Sequence, residues 1–175
     1  MKEIAIIGTG YVGLVSGAGL AEFGNKVTCI DIDVNKINKL NSGEIPIYEP
    51  NLKSLINKNF NDGRLFFSFE IEKEIKNSKI IFIAVGTPAD SNGKADLSAV
   101  EKVATTIAQN LNEYKVICTK STVPVGTGKY IKKIIKSKNS NIEFDYVSNP
   151  EFLREGAAVN DFLFPDRIVV GSSSS

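Results

Sequence analysis

Histidine and tryptophan are absent from this chain, cysteine occurs twice and methionine once. Without histidine, neither a Ser-His-Asp nor a Cys-His pair can activate a nucleophile, and most catalytic zinc sites lose their usual ligand. No metal site is read here, and acid–base chemistry falls to carboxylates, lysines or bound water. Cys29 and Cys118 each sit in an apolar run, without C-x-x-C spacing, and read as buried, inert thiols. Neither sign of charge dominates: 21 Lys and Arg face 20 Asp and Glu, a net charge of +1. Nucleic acid and anionic membranes therefore find nothing to gather on. No apolar run approaches the roughly 20 residues of a membrane span. Met1-Lys2-Glu3 leads straight into a strand-like segment instead of a signal peptide. The expectation is a cytoplasmic protein with no nucleic-acid or membrane partner.

What is present is an ordinary globular composition, 42% hydrophobic and 23% charged over 175 residues. A chain of this length buries roughly 70% of its unfolded surface, enough for one core and one domain. Its most informative stretch is Ile4-Ala5-Ile6-Ile7-Gly8-Thr9-Gly10-Tyr11-Val12-Gly13. An apolar strand ends in G-x-G-x-x-G and a helical pattern begins at once. In such a turn Gly8 permits the sharp exit, Gly10 lets a pyrophosphate reach bare backbone, and Gly13 lets the helix lie close to the sheet. The helix N-terminus offers unpaired N–H groups and about half a positive charge to phosphate. A glycine turn alone is weak evidence. Here a second strand, Lys26–Ile30, ends in Asp31, placed to accept hydrogen bonds from an adenosine ribose. A 2′-phosphate would meet a like charge there, so the reading is NAD and not NADP. Lys36, one helical turn on, either softens that rejection or is simply solvated.

Further along, a short helix over 34–42 ends at Gly43, and 44–50 reads as an extended loop with two prolines. Leu52, Leu55, Ile56 and Phe60 recur at helical spacing. A strand over 65–68 and a charged helix over 70–77 follow. Ile80-Ile81-Phe82-Ile83-Ala84-Val85 has the continuous apolar character of a strand buried on both faces of a parallel sheet. Ser98 and Glu101 are spaced as a capping box for a helix with apolar residues at 100, 103, 104, 107 and 111. Strands are expected at 115–119, 145–147 and 167–170, a helix around Tyr130, Ile131, Ile134 and Ile135, and a loop at 162–166. This alternation predicts an α/β fold, a Rossmann-like doubly wound, mostly parallel sheet with helices on both faces. Ligands gather at the carboxyl ends of such strands. Three polar strand exits then matter: Gly86-Thr87-Pro88, Lys120-Ser121-Thr122 and Ser148-Asn149-Pro150-Glu151. Glu151 and Glu155, four apart, would share a face on a helical turn and repel. Alternatively, Glu155 pairs with Arg154 or Arg167.

Five ordered motifs, Gly8 to Leu14, Tyr48-Glu49-Pro50, Val85-Gly86-Thr87-Pro88, Lys120 to Gly126 and Asn149 to Gly156, resemble the amino-terminal NAD-binding domain of the UDP-glucose 6-dehydrogenases, within the wider nucleotide-sugar dehydrogenases. The resemblance spans essentially the whole chain, so residues 1–175 are expected to form one NAD-binding domain. It implies two successive NAD-dependent oxidations of a sugar C6 alcohol, through an aldehyde and an enzyme thioester, to UDP-glucuronate. It also implies that Gly8, Gly10, Tyr11, Val12 and Gly13 hold NAD. By the same resemblance Asp31 and Lys36 contact its adenosine ribose, and Thr87, Thr122 and Glu155 approach its nicotinamide end. Glu151 would be the base assisting water attack and Thr122 would hold that water. Glu151, Phe152, Leu153 and Arg154 would line the UDP-sugar.

The family's cysteine nucleophile and its lysine, asparagine and aspartate partners have no counterpart in this sequence, nor does the central helix or UDP-sugar domain. The expectation is a cofactor domain, alone a monomer or a weak non-native dimer, whose homodimeric parent carries the activity. Two other readings stay open: a sister enzyme acting on GDP-mannose or a UDP-N-acetylhexosamine, and a non-catalytic NAD-sensing module. S-adenosylmethionine methyltransfer also uses a glycine turn and an acidic strand end, but the later motifs fit it poorly.

Overall fold

The computed structural model describes residues 1–173; the sequence Gly171-Ser172-Ser173-Ser174-Ser175 reads as the start of a connector, and its last two residues, Ser174 and Ser175, lie outside the described residues. Seven strands form one sheet: β1 (Glu3–Ile7), β2 (Lys26–Ile30), β3 (Leu65–Ser68), β4 (Ile80–Ile83), β5 (Lys115–Thr119), β6 (Phe144–Ser148) and β7 (Gly171–Ser172). Their order is β3-β2-β1-β4-β5-β6-β7. The first six run parallel and β7 is antiparallel to β6. The order reverses between β1 and β4, which puts the topological switch point beside the glycine turn.

Alternation along β1 divides the core between the two faces. Ile4 and Ile6 pack with helices α1 (Tyr11–Glu22), α2 (Val34–Asn41) and α3 (Leu52–Asn61), while Ala5 and Ile7 pack with α4 (Ile71–Asn77), α5 (Ser98–Asn110) and α6 (Thr127–Lys138). The expected doubly wound α/β sheet with helices on both faces is the observed fold. Both thiols are internal. Cys29 lies so tightly under α1 that a Cβ at Gly17 would stand 2.3 Å from its Sγ.

Several expectations need correction. The β4 run is covered on both faces but unequally: Ile81 and Ile83 are enclosed and Ala84 is buried against the α1 cluster, while Ile80 and Phe82 are half-buried against that cluster, because α1, α2 and α3 pack mainly over β1 to β3. Ser98 and Glu101 form no capping box. Leu97 is the N-cap of α5, Asp96 accepts from the Ser98 N–H at 2.9 Å, and Glu101 is bonded instead to Tyr130. In α3 the inward residue near the end is Asn59, tied to Glu22 and Arg64, while Phe60 faces outward. Residues 167–170 are not a strand, since pairing with β6 begins only at Gly171. The expected loop at 162–166 begins inside a helix, α7 (Ala158–Leu163), which packs on α1. No helix among the described residues is long and apolar enough to cross a membrane.

Candidate functional site

At the carboxyl end of β1 the chain turns through Gly8, whose φ of +110° is open to glycine but strained for other residues. Its N–H donates to the Ile30 carbonyl at 2.8 Å, and a Cβ there would stand 2.4 Å from the Ala84 carbonyl oxygen. Gly13 presses the first turn of α1 onto the same place: a Cβ on it would lie 1.9 Å from the Gly8 oxygen. Gly10 is different. Its backbone is extended, with φ −75° and ψ −169°, and a Cβ there would meet nothing within 4 Å. No side chain caps α1 and its first turn has no acid, so its leading N–H groups face an open, electropositive notch. The sharp exit at Gly8 and the close approach at Gly13 are thus seen directly, and the Gly10 backbone is left uncovered.

Beside the notch, the Asp31 carboxylate is held by its neighbours. Its Oδ2 accepts from the Thr9 N–H at 3.0 Å, the Thr9 hydroxyl at 2.6 Å and the Lys36 ammonium at 3.2 Å, and its Oδ1 accepts from the Asp33 N–H at 3.2 Å. Partial burial works to raise its pKa, but the Thr9 bonds, the Asp33 N–H and the Lys36 charge outweigh it and hold the carboxyl below its ordinary value. Lys36 is therefore engaged in orienting Asp31 and is not a free surface cation. Thr9 is a site residue that sequence reasoning missed. Its only signal was a short hydroxyl side chain between the first two glycines.

The three polar strand exits are joined. The Ser121 hydroxyl donates to the Val85 carbonyl at 2.6 Å, and the Thr87 hydroxyl to the Thr122 carbonyl at 2.7 Å. The Asn149 N–H reaches the Thr119 carbonyl at 3.0 Å, closing the edge from β4 across β5 to β6. Thr87 and Thr122 are thus brought together at one edge.

Next to that edge lies a cavity of about 700 Å³ whose lining includes Lys120, Glu151, Phe152, Leu153, Arg154 and Phe162. All four residues expected on the sugar side, Glu151 to Arg154, therefore share one concavity. They are not helical, so Glu151 and Glu155 do not share a helical face. The Glu151 carboxylate accepts from the Leu153 N–H at 2.6 Å. Arg154 pairs with Asp161 and not with Glu155: Nη2 lies 2.6 Å from Oδ1 and Nε 3.1 Å from Oδ2. Arg167 lies over the Phe152 ring, 4.4 Å from its centroid, and Glu155 is exposed on the following turn. Lys120, a motif residue given no role from sequence, is 7% exposed and donates to Asn149 Oδ1 at 3.2 Å. Burial pushes its ammonium pKa below the ordinary lysine value, with Glu151 pulling the other way.

Tyr11, the first residue of α1, sends its side chain to the loop before α3. Its hydroxyl donates to Glu49 Oε2, which also accepts from the Gly156 N–H at 2.8 Å, while Oε1 accepts from the Ala158 N–H at 2.9 Å. Glu49 is 5% exposed. Its burial raises the carboxyl pKa, but the Tyr11, Gly156, Ala158 and Val159 donors more than offset that and lower it overall. The Tyr11 phenol is pushed up to about 12 by burial and by the Glu49 charge.

A parallel sheet with its switch point at a glycine turn, an open helix N-terminus and an acid closing the second strand defines a dinucleotide-binding domain of the Rossmann class. The whole chain also matches a known group of such domains. Residues 2–175 fit the UDP-glucose/GDP-mannose dehydrogenase family, NAD binding domain, and the chain belongs to that family. It is 57% identical over 175 residues to the UDP-glucose 6-dehydrogenase TuaD of Bacillus subtilis, covering 99% of this chain and 38% of that protein. It is 51% identical over 174 residues to the UDP-glucose 6-dehydrogenase of Rhizobium meliloti, covering 99% and 40%. Among solved structures, a UDP-glucose dehydrogenase from Pyrobaculum islandicum superposes with a TM-score of 0.96 at 36% identity, covering 99% of this chain and 41% of that one. GDP-mannose dehydrogenase from Pseudomonas aeruginosa superposes at 0.93 and 34%, covering 97% and 41%. The chain thus spans about two fifths of the length of the relatives it matches. NAD is the cofactor of this family's domain.

Proposed function

We propose that residues 1–175 form one domain that holds NAD along the carboxyl edge of β1, β2, β4 and β5 for a nucleotide-sugar dehydrogenase. The observation that carries this reading is the unobstructed Gly10 backbone at the start of α1, with the fixed Asp31 carboxylate beside it. The pyrophosphate lies against the N–H groups of Gly10, Tyr11, Val12 and Gly13, with Gly8 turning the chain beneath it. Asp31 accepts from the adenosine ribose hydroxyls, and Lys36 holds Asp31 in place. Thr87, Thr122 and Glu155 flank the nicotinamide half. Bound NAD supplies a hydride acceptor, and the protein's part is to orient the sugar and manage protons.

The sugar nucleotide occupies the 700 Å³ cavity against Glu151, Phe152, Leu153 and Arg154. Glu151 serves as proton acceptor for a water that Thr122 helps to hold. Neither thiol fits the family's nucleophile, since burial raises Cys29 to about 12 and Cys118 to about 11. A protein thiolate for the second oxidation therefore comes from sequence beyond these residues, in a parent that oxidises UDP-glucose to UDP-glucuronate. The parent is homodimeric and cytoplasmic, has no nucleic-acid or membrane partner, and the domain alone is monomeric. GDP-mannose is the second reading, because a GDP-mannose dehydrogenase superposes nearly as closely. Comparing turnover of the parent on the two sugar nucleotides separates them.

Calorimetric titration of the 175-residue chain with NAD, NADP and S-adenosylmethionine tests the cofactor site. The expected order is NAD first, NADP markedly weaker and S-adenosylmethionine silent. No heat with NAD at millimolar concentration refutes the proposal.

A further inference from the structure

The one buried acid among the described residues, Glu49, lies outside the roles proposed above. Glu49 sits in the loop between α2 and α3, yet its carboxylate receives donors from two distant parts of the chain. One is Tyr11, at the first position of the helix that faces the pyrophosphate. The others are the N–H groups of Gly156 and Ala158, immediately beyond the segment 151–155. The Tyr11 hydroxyl also lies 3.4 Å from the Arg154 carbonyl oxygen. Oε2 is shared between the Tyr11 hydroxyl and the Gly156 N–H, so one atom joins the two segments. At 5% exposure little solvent is available to replace a lost partner, and displacement of Tyr11 changes what Gly156 meets.

We propose that Glu49 is a positioning residue that couples the two halves of the site: a phosphate ligand at the first turn of α1 fixes Tyr11, and through Glu49 fixes the turn that carries the sugar-facing residues. Coupling of this kind requires a continuous set of contacts between two sites and is reciprocal in binding free energy. Tyr11, Glu49, Gly156 and Ala158 supply such a set. The inference rests on the NAD reading, since it takes the start of α1 to be where phosphate binds.

The test uses ADP, which carries the pyrophosphate and adenosine but has no nicotinamide to touch residues 151–155 directly. Amide NMR spectra of the 175-residue chain are recorded with and without saturating ADP, for the wild type, Tyr11→Phe and Glu49→Gln. In the wild type the Gly156 and Ala158 amides are expected to shift and to exchange with solvent more slowly when ADP binds. Tyr11→Phe removes one hydroxyl and leaves the other Glu49 bonds in place, and it is expected to abolish more than half of that response at saturation. Glu49→Gln replaces one of the two acceptor oxygens by an NH2 donor that must oppose either the Gly156 or the Ala158 N–H, and should remove the response further. If that variant does not fold, Tyr11→Phe decides alone. ADP binding without a response at Gly156 and Ala158 overturns this inference and leaves the cofactor reading intact, as does a response undiminished in Tyr11→Phe. Failure of ADP to bind overturns both.

Discussion

Replacing Gly10 by alanine separates folding from cofactor binding more cleanly than any other single change at this site. In the free protein the substitution is nearly silent: φ is −75° and the new methyl meets nothing within 4 Å. Alanine is a poorer N-cap than glycine by about 0.5–1 kcal/mol, but it lowers the entropy of the unfolded chain by about 0.4–1 kcal/mol equivalent. The two nearly cancel. For a chain of this size the melting temperature should move by no more than about 3 °C. The bound state is another matter. A phosphate oxygen bonded to this backbone lies about 2.9 Å from a nitrogen, whereas a methyl carbon needs roughly 3.5 Å from its neighbours. The pyrophosphate must withdraw and give up one or two charge-assisted bonds. At about 1.5–3 kcal/mol each, one or two lost bonds amount to roughly 1.5–6 kcal/mol, or at least about a tenfold rise in the NAD Kd. Paired thermal melts and calorimetric titrations check both halves. A Gly10→Ala protein that melts normally and binds NAD within about threefold of wild type would refute the placement of the pyrophosphate.

Gly13→Ala should show the opposite pattern. Its Cβ would sit 1.9 Å from a backbone oxygen that cannot rotate away, so α1 must lift from the sheet at about 1–3 kcal/mol or more, read as a melting point lower by several degrees. Acid should destabilise the domain. Glu49 and Asp31 have folded pKa values below their ordinary ones, and the Arg154 guanidinium holds Asp161 down to about 2. Their contribution is complete above about pH 5 and is lost as pH falls through the ordinary carboxylate values toward the folded ones. Urea midpoints measured from pH 7 to pH 3 should drop, and Asp161→Asn should flatten the slope. Lys120→Met should hold or raise the melting temperature at pH 7, since it removes a buried cation with a single direct hydrogen bond and keeps its volume. A fall of more than about 2 kcal/mol would mean that the ammonium is better satisfied than its geometry indicates.

Where local pattern governs, the sequence was a sufficient guide. Strands β2, β3 and β5 have the limits expected from their sequences, because apolar runs bounded by turn residues leave little choice of register. The glycine turn was equally legible, since each of its constraints is a backbone matter confined to a few residues. What escaped depends on partners far along the chain. Helix α7 is six residues long, and the carboxylate that receives the N–H groups at its start belongs to Glu49, 109 positions before Ala158. Periodicity cannot register that. Asn59 displaced Phe60 from the interior because Glu22 and Arg64 offered it partners from other elements. Lys120 looked like an ordinary polar strand exit, yet it is enclosed because Phe162 and Asn149 close over it.

The seating of Cys29 beneath α1 gives the domain a built-in stopwatch. Its thiol is fully enclosed, and burial pushes its pKa up to about 12. A thiol-reactive dye can reach it only in the moments when the helix lifts from the sheet. The rate of colour development in Cys118→Ala protein would then count those openings, and its slowing under added NAD would measure how firmly the cofactor clamps the first helix.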